Sequence, residues 1–157
     1  MPNHWTVIAS VTLLIELGSF FIRLRDLSWA KRLDRPDWLF FEPAIPVIWM
    51  VVFASGAVSA GLVWQHDPGS LKIWMLMGVY LVLELITVAY IPAILRSRSL
   101  VVGTILGGTG VGLGLILFLL VGQISPNASL FLLPYLIWSP IGTYATRQMI
   151  DLNPKAV

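Results

Sequence analysis

Tryptophan and charged side chains crowd one stretch of the sequence, residues 29–49, which reads WAKRLDRPDWLFFEPAIPVIW. An indole ring can stack on a flat aromatic molecule, and its N–H group needs a hydrogen-bond partner when it is buried. An arginine beside such a ring can bind a carboxylate through two parallel hydrogen bonds. These residues could form a site for a broad aromatic ligand with carboxylates at one edge. Alternatively, they could fill a core and fix the orientation of the chain in a membrane.

Other kinds of site find little support in the sequence. The chain has no cysteine, and its two histidines, His4 and His66, are far apart. Disulfides and thiolate metal sites are therefore excluded, and the histidines make a poor metal-binding pair. The sequence contains no Ser-His-Asp set, and the glycine-rich residues 107–110 lack the lysine and the preceding strand of a phosphate loop. We expect no metal site and no required cofactor, and the sequence favours a protein without ordinary catalysis.

Three carboxylates occur in or beside apolar runs. Glu42 lies at the start of a predicted helix, where a negative charge is favourable. Glu16 and Glu84 lie deeper, and an ionisable group inside a membrane usually faces a partner or the interior of a helix bundle. Each of these two could be a proton or ligand site, or a protonated carboxyl that hydrogen-bonds a neighbouring helix.

Long apolar runs must position all these residues. Of the 157 residues, 57% are hydrophobic and 11% are charged, whereas a soluble domain carries about 25% charged residues. A spanning helix needs roughly 20 mostly apolar residues, and lipid leaves no water to bind free backbone groups. The sequence therefore predicts an all-α integral membrane protein with a single domain, residues 1–157. Five transmembrane helices are expected at residues 5–22, 43–64, 71–95, 100–122 and 129–150.

The basic residues predict the orientation of this bundle. With five helices, nine of the ten Lys and Arg residues lie on one side of the membrane, and Lys72 lies on the other. Because Lys and Arg accumulate in short cytoplasmic loops, we expect the N-terminus outside and the C-terminus in the cytoplasm. The first run has no basic residue before Arg23, so we expect a retained helix and a bacterial inner membrane. The cations indicate contact with a lipid bilayer and give little support for nucleic-acid binding.

Two of the seven tryptophans differ in position from the others. Five lie near the ends of predicted helices, where tryptophan commonly anchors a protein at the membrane interface. Trp49 and Trp138 lie well inside the second and fifth predicted helices, and we expect both in the cytoplasmic half of the helix. A buried indole N–H at that depth requires a partner or a ligand.

Glycines are concentrated in the fourth predicted helix. They form three GxxxG pairs, Gly103/Gly107, Gly108/Gly112 and Gly110/Gly114. Small residues let helices approach closely. Since the pairs point in several directions, we favour close packing within the bundle, and a homodimer interface is the alternative.

The spacing of these residues resembles the translocator protein family, also called tryptophan-rich sensory proteins (TspO/MBR). The family enters its second helix as W-Y-x-x-L-x-K-P-x-W-x-P-P, and this chain has Trp29, Leu33, Arg35, Pro36 and Trp38 at the corresponding positions. Trp49 falls at the inner tryptophan of the family and Phe53 at a family tyrosine. The last helix of the family carries P-Y-L-x-W, which here is Pro134 to Trp138, and the chain later reads DLN at residues 151–153.

Several positions depart from the family pattern. Phe40 and Phe41 stand where the family has two prolines, and the N-x-x-W of its third helix aligns with Thr87 and Tyr90. The cholesterol motif L/V-x₁₋₅-Y-x₁₋₅-K/R is not matched around Tyr135 or Tyr144. The chain is therefore similar to a divergent member of the family, without a sign of sterol recognition.

The resemblance implies a five-helix bundle whose first loop covers an aromatic pocket that binds porphyrins such as protoporphyrin IX. It implies a role as a receptor or carrier for tetrapyrroles or similar hydrophobic ligands. A membrane enzyme that degrades porphyrins in light and a membrane scaffold without a ligand are the alternatives. The predicted ligand-binding residues are Trp29, Arg35, Pro36, Trp38, Trp49, Phe53, Tyr90, Tyr135 and Trp138.

Overall fold

The computed structural model describes residues 2–18, 22 and 24–157. These residues form α-helices joined by turns, and the described part of the chain contains no strand. The all-helical prediction is therefore confirmed. The helices are α1 (His4–Leu17), α2 (Leu24–Ala30), α3 (Ile45–His66), α4 (Leu71–Ser97), α5 (Leu100–Gly122), α6 (Pro126–Leu130) and α7 (Leu133–Leu152).

Among the described residues, three helical segments are long and apolar enough to cross a membrane: Glu42–His66, Leu71–Ser97 and Leu100–Gly122. They coincide with the second, third and fourth predicted spans. Serine side chains begin two of these helices, since Ser70 accepts a hydrogen bond from the Ile73 N–H and Ser99 accepts one from the Val102 N–H. Such caps satisfy N–H groups that have no partner inside the helix.

The first predicted span corresponds to a shorter apolar helix. Helix α1 contains 14 residues and begins at a cap in which the Asn3 side chain accepts a hydrogen bond from the Thr6 N–H. The prediction continued to residue 22, but residues 19–21 lie outside the described part of the chain, as does Arg23. The extent of this span after α1 therefore stays a prediction.

The fifth predicted span is two helices instead of one. Proline at position 134 has no N–H to donate to the Leu130 carbonyl. The preceding turn is tighter than an α-helical turn, because the Phe131 N–H donates to the carbonyl of Ala128, three residues earlier, at 3.2 Å. Two serines of α3 bind carbonyls at this break, Ser55 to Phe131 at 2.6 Å and Ser59 to Ala128 at 2.7 Å. These bonds fix the break against the middle of α3.

This break determines which part of α3 lies beside Trp138. Trp138 is the sixth residue of α7, so it lies in the first third of that helix. Because α7 begins at Leu133 beside the middle of α3, its sixth residue reaches the level of Trp49, and the two rings are in contact. That both tryptophans lie in the cytoplasmic half stays a prediction. Trp49 is the fifth residue of α3, near the beginning of its helix as expected.

The first loop also contains more structure than predicted. Helix α2 lies between the first and second predicted spans, where no helix was predicted. Its Asp26 is buried and lies 3.8 Å from the guanidinium of Arg98, which follows α4. After α2, two short 3₁₀ turns, Asp37–Leu39 and Glu42–Ala44, lead into α3. The sequence did not predict α2 because the helix is short and its Asp26 contacts Arg98, which is distant in the chain.

Helix α5 packs closely against α4 and α7 through its glycines. A Cβ atom added at Gly103 would lie 2.3 Å from the Ile94 side chain, and one added at Gly114 would lie 2.6 Å from the Tyr135 ring. Gly108 and Gly112 are exposed and have no such neighbour within 4 Å. Close packing within the bundle thus accounts for the buried glycines. The homodimer stays a prediction for the exposed pair.

Candidate functional site

Six aromatic side chains from α3, α7 and the first loop meet at one end of the bundle. We call this group the aromatic cluster: Trp38, Phe41, Trp49, Phe53, Trp138 and Tyr144. Its centre is the pair Trp49 and Trp138, whose ring centroids are 6.4 Å apart at an interplanar angle of 82°. This edge-to-face geometry is a favourable one for aromatic rings. The structure therefore brings together the two inner tryptophans, both of which are among the predicted ligand-binding residues.

Helix α3 and the first loop each contribute rings that contact one another or Trp138. On α3, Trp49 and Phe53 are one turn apart, with ring centroids at 5.9 Å. From the loop, Phe41 lies 6.1 Å from Trp138 at 64°. Trp38 lies 6.3 Å from Phe41 and stacks on Tyr144 at 6.1 Å. The loop thus closes the cluster with aromatic rings of its own.

The N–H group of Trp138 is the unusual feature of the cluster. The side chain is 8% exposed, and its Nε1 atom is buried without a hydrogen-bond partner. Leaving a buried donor unsatisfied costs about 1–3 kcal/mol. The other indole at the loop is satisfied, because Trp38 Nε1 donates to Gln148 Oε1 at 2.8 Å. Trp138 therefore has an unused donor in an aromatic environment.

Little empty space adjoins the inner tryptophans when the loop is closed. A cavity of about 20 Å³ is lined by Trp49, Tyr90 and Tyr135, together with residues of α5 and α7. A water molecule needs roughly 10–15 Å³, so this cavity has room for about one water. A porphyrin could reach the inner tryptophans only after the loop rings had moved.

The remaining predicted site residues lie around the cluster or away from it. Trp29 packs with Ile94 and Leu100 in a separate hydrophobic group. Pro36 is buried and precedes the 3₁₀ turn that carries Trp38. Arg35 binds within its own loop: it donates to the carbonyl oxygens of Ala30 and Leu33 and pairs with Glu42 at 3.3 Å. Its guanidinium would have to exchange these partners to bind a ligand carboxylate.

Sequence reasoning missed three residues of this region. Phe41 was treated as a departure from the family pattern, although it supplies the ring against Trp138. Tyr144 and Gln148 contact Trp38 across more than 100 residues of chain. The one local signal was the position of Tyr144, six residues after Trp138. Residues six apart do not share a face of a helix, so this spacing did not indicate that both belong to the cluster.

A larger cavity lies between α1, α3 and α4. Its volume is about 570 Å³, within the range of roughly 300–1,000 Å³ that small-molecule sites occupy. Phe53 is the one predicted site residue that lines it. The walls also include the rings of Trp64, Trp74 and Tyr80, which come from α3 and α4. Sequence reasoning placed Trp64 and Trp74 at the membrane interface and did not predict this cavity.

Metal binding has no visible site in this part of the molecule. Within residues 2–18, 22 and 24–157, no group of three or more His, Asp or Glu side chains is arranged to hold a metal ion.

Comparison with known proteins gives two matches. The sequence model of the TspO/MBR family matches residues 6–151. An uncharacterised membrane protein of Bacillus subtilis (strain 168), YtaB, is 25% identical over 130 residues, which cover 82% of this chain and 82% of the relative.

Proposed function

The chain belongs to the TspO/MBR family, and from this premise we propose that it binds a porphyrin or a similar flat aromatic ligand at the aromatic cluster. Family membership supports an integral membrane protein with a sensory or transport role. The observation that carries the ligand proposal is the unpaired N–H of Trp138, buried among aromatic rings under the first loop. A ligand with a hydrogen-bond acceptor at its rim would satisfy that donor and stack on the neighbouring rings.

Binding at this place requires the first loop to act as a lid. The cavity of about 20 Å³ beside Trp49 is far too small for a tetrapyrrole. Phe41 packs against Trp138, Trp38 packs against Phe41, and both belong to the loop. When they swing away, the face of Trp138 becomes available, and Arg35 can release its loop carbonyls to pair with a propionate.

Protoporphyrin IX is the probe for this function. The purified protein in detergent is titrated in the dark and then illuminated, while the absorption spectrum of the porphyrin is followed. Saturable binding with an unchanged porphyrin spectrum after illumination supports a receptor or carrier. Light-dependent bleaching with a new product supports a degrading enzyme. Absence of saturable binding overturns the ligand proposal and leaves a membrane scaffold.

The lid is held partly by one hydrogen bond, and its removal gives a kinetic prediction. Gln148→Ala removes the acceptor of Trp38 Nε1. A typical net hydrogen bond contributes about 0.5–1.5 kcal/mol, and 1.4 kcal/mol is a factor of ten. We expect protoporphyrin IX to associate and dissociate about twofold to tenfold faster, as measured by stopped-flow fluorescence. Arg147→Ala, an exposed neighbour paired with Asp151, is the control, and equal rates in the two variants would remove the lid role of this contact.

We also propose that five segments cross the membrane: α1 with the residues after it, α3, α4, α5, and α6 with α7. With five spans, the charge distribution supports an N-terminus outside and a cytoplasmic position for the loop with Arg35. A reporter fused after Val157 should be active in the cytoplasm, and a reporter before the N-terminus should be active outside. The opposite pattern would place the lid on the outer face, and two reporters on the same side would contradict an odd number of spans.

A further inference from the structure

The cavity between α1, α3 and α4 is separate from the small space beside Trp49. Phe53 belongs to the aromatic cluster and also lines this cavity, so it stands at the boundary of the two. The other walls come from the first three turns of α1, from α3 after Phe53, and from the first half of α4. The cavity therefore occupies the half of the bundle that contains the beginning of α1 and the end of α3.

Small residues on α3 create this space. Trp5 packs tightly on Gly61, where an added Cβ atom would lie 2.0 Å from the indole ring. This contact holds α1 against α3 at one level. Gly56, Ala57 and Ala60 line the cavity next to it, and their small side chains cannot fill the gap between the helices. A Cβ atom added at Gly56 would meet nothing within 4 Å.

One acidic side chain lines the cavity. Among the described residues that line it, Glu84 carries the one carboxyl group, and none is lysine or arginine. Thr12 of α1 hydrogen-bonds the Glu84 side chain, and Glu16 is close enough to interact with it electrostatically. A carboxyl group inside a membrane is costly, and it commonly marks the path or site of a charged ligand. No lysine or arginine among these residues could pair with an anionic ligand such as a porphyrin carboxylate.

The aromatic walls are suited to a positive charge. The rings of Trp64 and Trp74 are in edge-to-face contact, with centroids 4.9 Å apart. Tyr80 lines the cavity four residues before Glu84, and its hydroxyl is already hydrogen-bonded to Ser59 at 2.6 Å. The ring faces of Trp and Tyr attract cations, more strongly when the cation has left water. His4, at the other end of the cavity, has a buried Nε2 atom without a hydrogen-bond partner.

We propose that this cavity binds a lipophilic cation, with its positive centre beside the carboxylate of Glu84 and its apolar body between α1, α3 and α4. The class of ligand is a hydrophobic molecule of moderate size that carries one ammonium or similar onium group. The charge of Glu84 selects the cation, the aromatic rings surround it, and the volume of about 570 Å³ accommodates its body. The site does not depend on the proposed porphyrin function, since the two sites share one wall residue, Phe53, and call for ligands of opposite charge.

Tetraphenylphosphonium and tetraphenylborate test the choice of charge, because the two ions are nearly equal in size and shape and opposite in sign. Binding of each to the purified protein in detergent is measured by isothermal titration calorimetry. We expect saturable binding of tetraphenylphosphonium at a single site, and at least about tenfold weaker binding of tetraphenylborate. Equal affinities, or no saturable binding of the cation, would overturn the proposal.

Two variants then test whether the cation binds beside Glu84. Glu84→Gln keeps the size of the side chain and removes its charge, and it should weaken tetraphenylphosphonium binding about tenfold or more, the range seen when a desolvated charge loses its partner. Glu42→Gln, the same change at the exposed partner of Arg35, should leave this affinity unchanged. If both glutamine variants bind the cation equally well, Glu84 is not its counter-ion and the proposal fails.

Gly56→Leu tests the space independently of the charge. A leucine at this position would fill part of the cavity, and its Cβ atom meets no neighbour, so we expect the variant to fold and to lose cation binding. Unchanged cation binding in Gly56→Leu would move the site elsewhere and overturn the proposal. Protoporphyrin IX binding in the same variant should be unaffected, so failure of the cation site and failure of the porphyrin site give different results.

Discussion

Replacement of Trp49 and Trp138 together by phenylalanine is expected to remove most of the tryptophan quenching caused by bound protoporphyrin IX, and to weaken porphyrin binding. Each aromatic contact contributes about 0.5–1.5 kcal/mol beyond area burial, which is roughly twofold to tenfold in dissociation constant for each residue. Phenylalanine retains part of the stacking, so each single change should give a loss near the lower end. The measurement is a fluorescence titration of the double variant and both single variants.

Trp138→Phe should separate binding from stability. Removal of the unsatisfied N–H should stabilise the protein without ligand. The change also removes atoms that pack against Trp49 and Phe41, which should destabilise it. The two effects have opposite signs and similar sizes. An unsatisfied donor costs about 1–3 kcal/mol, and the loss of buried atoms costs a similar amount. We expect the melting temperature of the empty protein to change little while the porphyrin affinity falls.

Trp5→Phe is the matched control for the pair. Trp5 packs on Gly61 at the boundary of α1 and α3, far along α3 from Trp49. The control should preserve the porphyrin affinity and remove the quenching of only one distant indole. If Trp5→Phe and the double variant lower the affinity equally, the inner tryptophans are core packing and the cluster is not the porphyrin site.

The sequence predicted the long helices well because their boundaries are marked chemically. Helix α5 coincides with the predicted span 100–122, and α4 exceeds its prediction by two residues. Serine caps and polar breaks surround both. The break between α6 and α7 carries no polar residue, since the chain there reads LFLLPY. Counting apolar residues cannot detect such a break, and Pro134 was its one local sign.

The candidate site was predictable to a smaller extent. The pairing of Trp49 with Trp138 came from the spacing of family motifs, whereas the closure of the cluster by Phe41 depends on how the loop folds back. The predicted pocket between the two tryptophans is filled by their own edge-to-face contact. The cavity beside Glu84 went unpredicted because it arises from side chains that are too small to fill a gap. A sequence shows glycine and alanine without showing whether a neighbouring helix will cover them.

The glycines of α5 that contact Tyr135 are expected to be sensitive to substitution. A Cβ atom added at Gly114 would lie 2.6 Å and 2.9 Å from two carbons of the Tyr135 ring. Overpacking of this kind typically costs about 1–3 kcal/mol. Gly114→Ala should therefore lower the free energy of unfolding by that amount, as measured by denaturant unfolding in detergent. Gly112→Ala, on the exposed face with no neighbour within 4 Å, should be neutral or slightly stabilising because alanine favours the helix.

A second pair of variants tests which atoms of Tyr135 make the two glycines sensitive. At Gly110, an added Cβ atom would lie 2.5 Å from the Tyr135 hydroxyl oxygen, and the next ring carbon is 3.9 Å away. Gly110→Ala should therefore be destabilising in the natural background and nearly neutral in the Tyr135→Phe background, which lacks that oxygen. Gly114→Ala should stay destabilising in both backgrounds, because its clash is with ring carbons that phenylalanine retains. Equal costs for the two glycines in the Tyr135→Phe background would mean that α5 and α7 shift apart as a unit, and that the individual contacts with Tyr135 do not set their separation.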